Sequence, residues 1–108
     1  MSGEGTAADA DDCPPALDGA LARDLVIVNR KGLHARASAK FVQTVERFDS
    51  DVTVTRCAET VGGRSIMGLL TLAAAQGTTI TVTAQGRDAE PCLDAVSDLV
   101  AARFGEDE

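Results

Sequence analysis

Residues 79–84 alternate one position at a time: Ile80, Val82 and Ala84 fall on one face, Thr79, Thr81 and Thr83 on the other. An extended chain points successive side chains to opposite faces, so this segment belongs to a sheet with one face on a core and one in water. Asp51–Arg56 repeats the pattern, with Val52 and Val54 set against Thr53 and Thr55. Parallel sheets are covered on both faces. A sheet of such strands is therefore largely antiparallel, with its cover on one side.

The remaining elements follow from changes of period. Leu25 to Val28 is an apolar run of strand length, and Glu59-Thr60-Val61 reads as a short edge strand ended by Gly62-Gly63. From Ala35 to Phe48 the spacing is helical: Phe41, Val42, Val45 and Phe48 share one face, and Arg36, Lys40, Gln43 and Arg47 the opposite one. Ser65 opens a second helical run, Ile66 to Ala75, stopped by Gln76-Gly77. Asp88 is placed to cap a last helix that tolerates Pro91 in its first turn and buries Cys92, Val96, Leu99, Val100 and Phe104. The order strand, helix, strand, strand, helix, strand, helix predicts an α+β fold. It is an open-faced β-sandwich, a four-stranded, mostly antiparallel sheet with three helices on one face.

A chain of 108 residues makes one domain with a modest core. No Trp or Tyr is present and only Phe41, Phe48 and Phe104 are aromatic, so that core is aliphatic. The net charge of −7 belongs to the ends. Residues 1–22 hold five acids and no base, whereas residues 23–105 hold nine acids and ten bases. Rich in Ala, Gly and Asp, with Pro14-Pro15 in the middle, residues 1–22 read as a disordered acidic extension before a domain spanning 23–108. The charge and the scarcity of aromatics argue against nucleic acid as a partner.

Cys13, Cys57 and Cys92 are far apart, form no Cys-x-x-Cys, and have one histidine to share a metal with. Neither a metal site nor a disulfide framework is expected, and reduced thiols in cytosol fit best. No apolar run approaches the roughly 20 residues that span a bilayer, and no secretory signal opens the chain. The expectation is a cytoplasmic monomer without cofactor.

His34, the single histidine, stands in Gly32-Leu33-His34-Ala35-Arg36-Ala37, between the first strand and the first helix. A helix start offers free N–H groups and favours an anion. Gly32 permits the tight backbone that presents the ring, and Ala35 and Ala37 leave the amides open. Arg36 supplies a fixed cation for phosphate oxygens, within the basic cluster Arg30, Lys31, Arg36 and Lys40. Neutral imidazole is a nucleophile available near neutral pH, so these residues suit a carried phosphoryl group. The plain alternative is a satisfied surface or core histidine beside a solvated basic helix face. No Walker-type loop or metal-binding carboxylate cluster is present to activate ATP. The chain is thus expected to receive and deliver phosphate as a covalent intermediate rather than act as an autonomous enzyme.

Val28-Asn29-Arg30-Lys31-Gly32-Leu33-His34-Ala35-Arg36 and Gly63-Arg64-Ser65-Ile66-Met67-Gly68-Leu69-Leu70 together carry a family likeness, with His34 and Ser65 31 residues apart. The segment from Asp24 to Glu106 resembles HPr, the histidine phosphocarrier of the bacterial phosphotransferase system, including its nitrogen-related branch. The resemblance implies that His34 accepts phosphate on Nδ1 from the phosphohistidine of enzyme I and passes it to a IIA-type protein. It also implies that Arg36 contacts the phosphoryl group and that Ser65 is a target of an HPr kinase/phosphorylase. One position departs: proline usually follows the arginine, and here Ala37 adds an N–H and loosens the turn.

Ser65 equally suits a plain helix cap. Ile66, Met67, Leu69, Leu70, Leu72 and Ala73 make the second helix apolar nearly all round. Either the helix is fully buried or Ile66, Met67 and Leu70, with Lys40 nearby on the first helix, form a surface for partner proteins. The alternative function is a non-catalytic regulatory module that binds through the Ile66–Leu70 patch and is switched at Ser65.

Overall fold

The computed structural model describes residues 21–106. Its elements are β1 (Leu21–Val26), α1 (Ala35–Val45), β2 (Asp51–Arg56), β3 (Glu59–Gly62), α2 (Ile66–Thr71), β4 (Thr79–Gln85) and α3 (Ala89–Ala101), followed by a 3-10 turn at Arg103–Gly105. The four strands form one sheet in the order β1-β4-β2-β3. Every pairing is antiparallel, with Leu25 opposite Ile80, Val54 opposite Val82 and Thr55 opposite Thr60. The expected open-faced sandwich is the observed one.

Alternation decides the two faces. Ile80, Val82, Ala84, Val52 and Val54 are buried under the helices, where they meet Phe41, Val45, Leu69, Leu93 and Val96. Each large apolar side chain so removed from water stabilises the fold by roughly 1.5–3 kcal/mol. The open face carries threonines and short polar bonds: Thr81 Oγ1 donates to Asp24 at 2.7 Å, and Thr55 and Thr60 hydroxyls lie 2.8 Å apart. At the sheet edge, Arg23 donates to Asp94 at 2.8 Å and Ser97 at 3.1 Å, tying β1 to α3.

Element ends differ from the pattern where tertiary bonds take precedence. The first strand begins at Leu21, two residues before the expected domain boundary, because Leu21 and Ala22 pair with Ala84 and Thr83. It ends at Val26 rather than Val28. The expected disorder of the remaining extension lies outside the described residues. α1 ends at Val45, with Phe48 half-buried against the core beyond it. α2 stops at Thr71 instead of Ala75, since Ala73 turns left-handed (φ 52°) and the Ala74 carbonyl accepts from the Leu33 N–H at 2.9 Å. Asp88 stands at the start of α3 but makes no side-chain cap; its carboxylate accepts from the Asp49 N–H at 2.7 Å. Of the cysteines, Cys92 is free and buried in the core.

Candidate functional site

The site is built on the loop between β1 and α1. Gly32 has φ +69°, and a Cβ there would lie 2.5 Å from the Ala74 carbonyl oxygen, so both conformation and space demand glycine. Asn29, fully buried, donates through Nδ2 to the Gly32 carbonyl at 2.9 Å and closes the loop from within. The segment after α2 closes it from outside: Gly77 N–H donates to Ile27 O at 2.7 Å and Gln76 to Val28 O at 3.1 Å. The loop is held at several points, and the side chain at its end inherits that rigidity.

That side chain is His34, the N-cap of α1, with φ −81° and ψ −176°. Its carbonyl accepts the first helical bond, from Ser38 N–H at 2.8 Å. Its Nδ1 accepts from the Arg36 N–H at 3.3 Å. The ring is 29% exposed, neither packed in the core nor free in solvent. An imidazole is thus presented at a helix beginning, beside amide donors and a helix dipole that favour an anion. Arg36 is exposed on the first turn, and Ala37 is buried beneath it.

Two residues to which the sequence alone assigns no role complete the candidate site. Glu106 returns from the C-terminal end and pairs its Oε2 with His34 Nε2, while its Oε1 accepts from Asn29 Nδ2 at 3.0 Å. Burial raises the Glu106 carboxyl, but hydrogen bonds from Asn29 and His34 and attraction to His34 and Lys31 outweigh it. The net value is lowered from the ordinary 4.5. The two ring nitrogens then have distinct roles: Nδ1, accepting from an amide, carries the lone pair, and Nε2, facing a carboxylate, carries the proton. In the sequence, Glu106 is the first of three consecutive acids, Glu106-Asp107-Glu108, and nothing local links it to His34. The one sequence hint was Gly105 just before it, a residue suited to the turn that follows a helix.

Of the basic cluster, Arg30, Lys31 and Arg36 are exposed, whereas Lys40 donates to the Phe104 carbonyl at 2.6 Å and so ties α1 to the C-terminal turn. Ser65 is exposed and caps α2, accepting from Gly68 N–H at 3.0 Å. Ile66 (39%) and Met67 (73%) are exposed and Leu70 is half-buried, while Leu69 and Leu72 enter the core. The helix is apolar all round because one side faces the core and the other solvent. Among the described residues no group of His, Cys, Asp or Glu could hold a metal ion. No helix there is long and apolar enough to cross a membrane.

Comparison with known proteins agrees with this arrangement. The family model described as "PTS HPr component phosphorylation site" matches residues 21–102. A phosphocarrier protein HPr of Neisseria meningitidis is 48% identical over 88 residues, covering 82% of this chain and 99% of that protein. A phosphocarrier protein NPr of Shewanella violacea is 40% identical over 86 residues, covering 80% of this chain and 94% of the other. Among solved structures, HPr from Thermoanaerobacter tengcongensis superposes with a TM-score of 0.78 at 38% identity, covering 82% of this chain and 99% of that one. With the signature, the fold and the presented histidine in agreement, the chain belongs to the HPr family of phosphotransferase-system phosphocarriers.

Proposed function

We propose that His34 takes a phosphoryl group on Nδ1 from the phosphohistidine of enzyme I and delivers it to a IIA-type protein. The observation that carries this reading is the capping geometry of His34: a partly exposed ring whose Nδ1 lone pair is directed at the open amides of a helix start. The bond to Arg36 N–H is long at 3.3 Å and therefore weak, so replacing it with a phosphoryl group costs little. The same amide and the Arg36 guanidinium then face phosphate oxygens. Their hold stays modest, as a carrier requires. Ile66, Met67 and Leu70, with Lys40, form the docking surface in this reading, and Ser65 is a site where an HPr kinase/phosphorylase adds regulatory charge. The protein acts in the cytoplasm as a monomer, with the acidic residues ahead of β1 an extension outside the carrier domain.

Incubating the protein with enzyme I and phosphoenolpyruvate should yield an acid-labile, alkali-stable phosphoprotein, and His34→Ala should yield none. Label persisting in His34→Ala would overturn the assignment. The exposure of Met67 favours one other reading, a regulatory module acting through α2 alone. In that case, function in the cell survives replacement of His34.

A further inference from the structure

We infer that Glu106 is a positioning residue for the phosphoryl acceptor: its carboxylate holds the proton on Nε2 of His34 and leaves the Nδ1 lone pair free to attack phosphorus. The inference rests on the phosphocarrier reading above and adds to it a group that orients the acceptor. Glu106 is not a solvent-borne acid that happens to lie near a histidine. Its side chain is 16% exposed, its Oε2 faces Nε2, and its Oε1 is fixed by the buried Asn29. Asn29 also holds the Gly32 carbonyl, so one amide sets both the loop that presents His34 and the carboxylate behind it.

The chain makes a costly turn to bring this carboxylate in. After α3, Arg103 (φ 58°), Phe104 (φ 55°) and Gly105 (φ 79°) are all left-handed, a conformation L-residues avoid. Phe104 is fully buried and its carbonyl accepts from Lys40, which locks the turn; a Cβ on Gly105 would lie 3.2 Å from the same ammonium. The next residue is Glu106. Strain of this kind persists where the surroundings over-determine it.

In the transfer step, the Nδ1 lone pair forms the N–P bond as the bond from phosphorus to the donor nitrogen breaks, and that electron pair leaves with the donor. The proton stays on Nε2, so the ring gains positive character, which the facing carboxylate stabilises. On delivery the N–P pair returns to Nδ1 and the ring is neutral again. In this geometry Glu106 touches the ring and never the phosphoryl group.

The single histidine allows a direct test on the full chain, labelled with 15N-histidine. The native protein should show the Nε2–H tautomer, and Glu106→Ala a mixture of both. Phosphorylation by enzyme I and phosphoenolpyruvate should slow by roughly ten- to a hundredfold in Glu106→Ala, the scale seen when a carboxylate that orients a metal-bound histidine is lost. Glu106→Gln can accept the Nε2–H bond without charge. It should keep the native tautomer and recover part of the rate. An unchanged tautomer in Glu106→Ala overturns the proposal whatever happens to the rate. A tautomer shift in Glu106→Ala, with no phosphate taken up even by the native chain, would sustain the positioning role and refute the carrier reading instead.

Discussion

N-caps are usually Ser, Thr, Asp or Asn, whose oxygens accept from the first turn. Here a histidine nitrogen does so, and the lone pair that caps the helix is the one the proposed reaction needs. Cap and nucleophile compete for the same electrons, and the long bond to Arg36 N–H is the compromise. In the proposed reaction, phosphate on Nδ1 releases that amide to a phosphate oxygen. Arg36 contributes through this backbone N–H and through an exposed side chain, and the two are separable. Arg36→Ala keeps the amide and removes the guanidinium, which is exposed and outside the core. The expected outcome is an unchanged thermal midpoint with phosphoryl transfer slowed by about two to three orders of magnitude, the scale of losing one charge-stabilising donor. Unchanged rapid-quench kinetics would reduce Arg36 to a surface charge.

Elements whose identity depends on their own pattern were legible. β2 and β4 could be read from strict alternation, and α1 from the spacing of Phe41, Val42 and Val45, because each buries one face of a regular structure. What escaped was set by partners far along the chain. Val28 has strand-like neighbours but leaves the sheet, and α2 loses its last turn because the Ala74 carbonyl is used by Leu33. His34 is legible as a candidate site because glycine, basic residues and a helix start are local signals. Asn29 and Glu106 join it only through an approach of residues 77 apart, which no local pattern records. Ser65 caps one element, and the proposed regulatory role would coincide with that cap. As a cap it satisfies Gly68 N–H, so Ser65→Ala should cost about 1 kcal/mol. That corresponds to a thermal midpoint lower by about 4–8 °C. Asp caps as well as serine does, so Ser65→Asp should keep the midpoint while its new charge weakens partner docking. Were Ser65→Asp to match native transfer rates, Ser65 would be a cap and nothing more.

Across the whole molecule, the two ends of the described chain meet at function. β1 runs into the loop that carries His34, and the turn after α3 brings back Glu106, so the site is completed only when the sheet and α3 are both in place. Burial of Phe104 contributes roughly 1.5–3 kcal/mol. This is comparable to the about 1–2 kcal/mol that Arg103 and Phe104 each cost in the left-handed conformation. The Glu106 bonds therefore weigh in whether the turn stays closed. Their dependence on pH has a definite sign. The Glu106 carboxyl is lowered in the folded state from its ordinary 4.5, so the folded protein holds this proton less tightly than the unfolded chain. Its contribution to stability is fully present above about 4.5 and is lost as pH falls through the lower folded value. Glu106→Gln has no carboxyl to titrate. The difference in urea midpoint between the native chain and Glu106→Gln should thus shrink progressively as pH falls below 4.5. A difference that stays flat from pH 4.5 down to pH 3 would mean that Glu106 is not held as a carboxylate against His34 and Asn29.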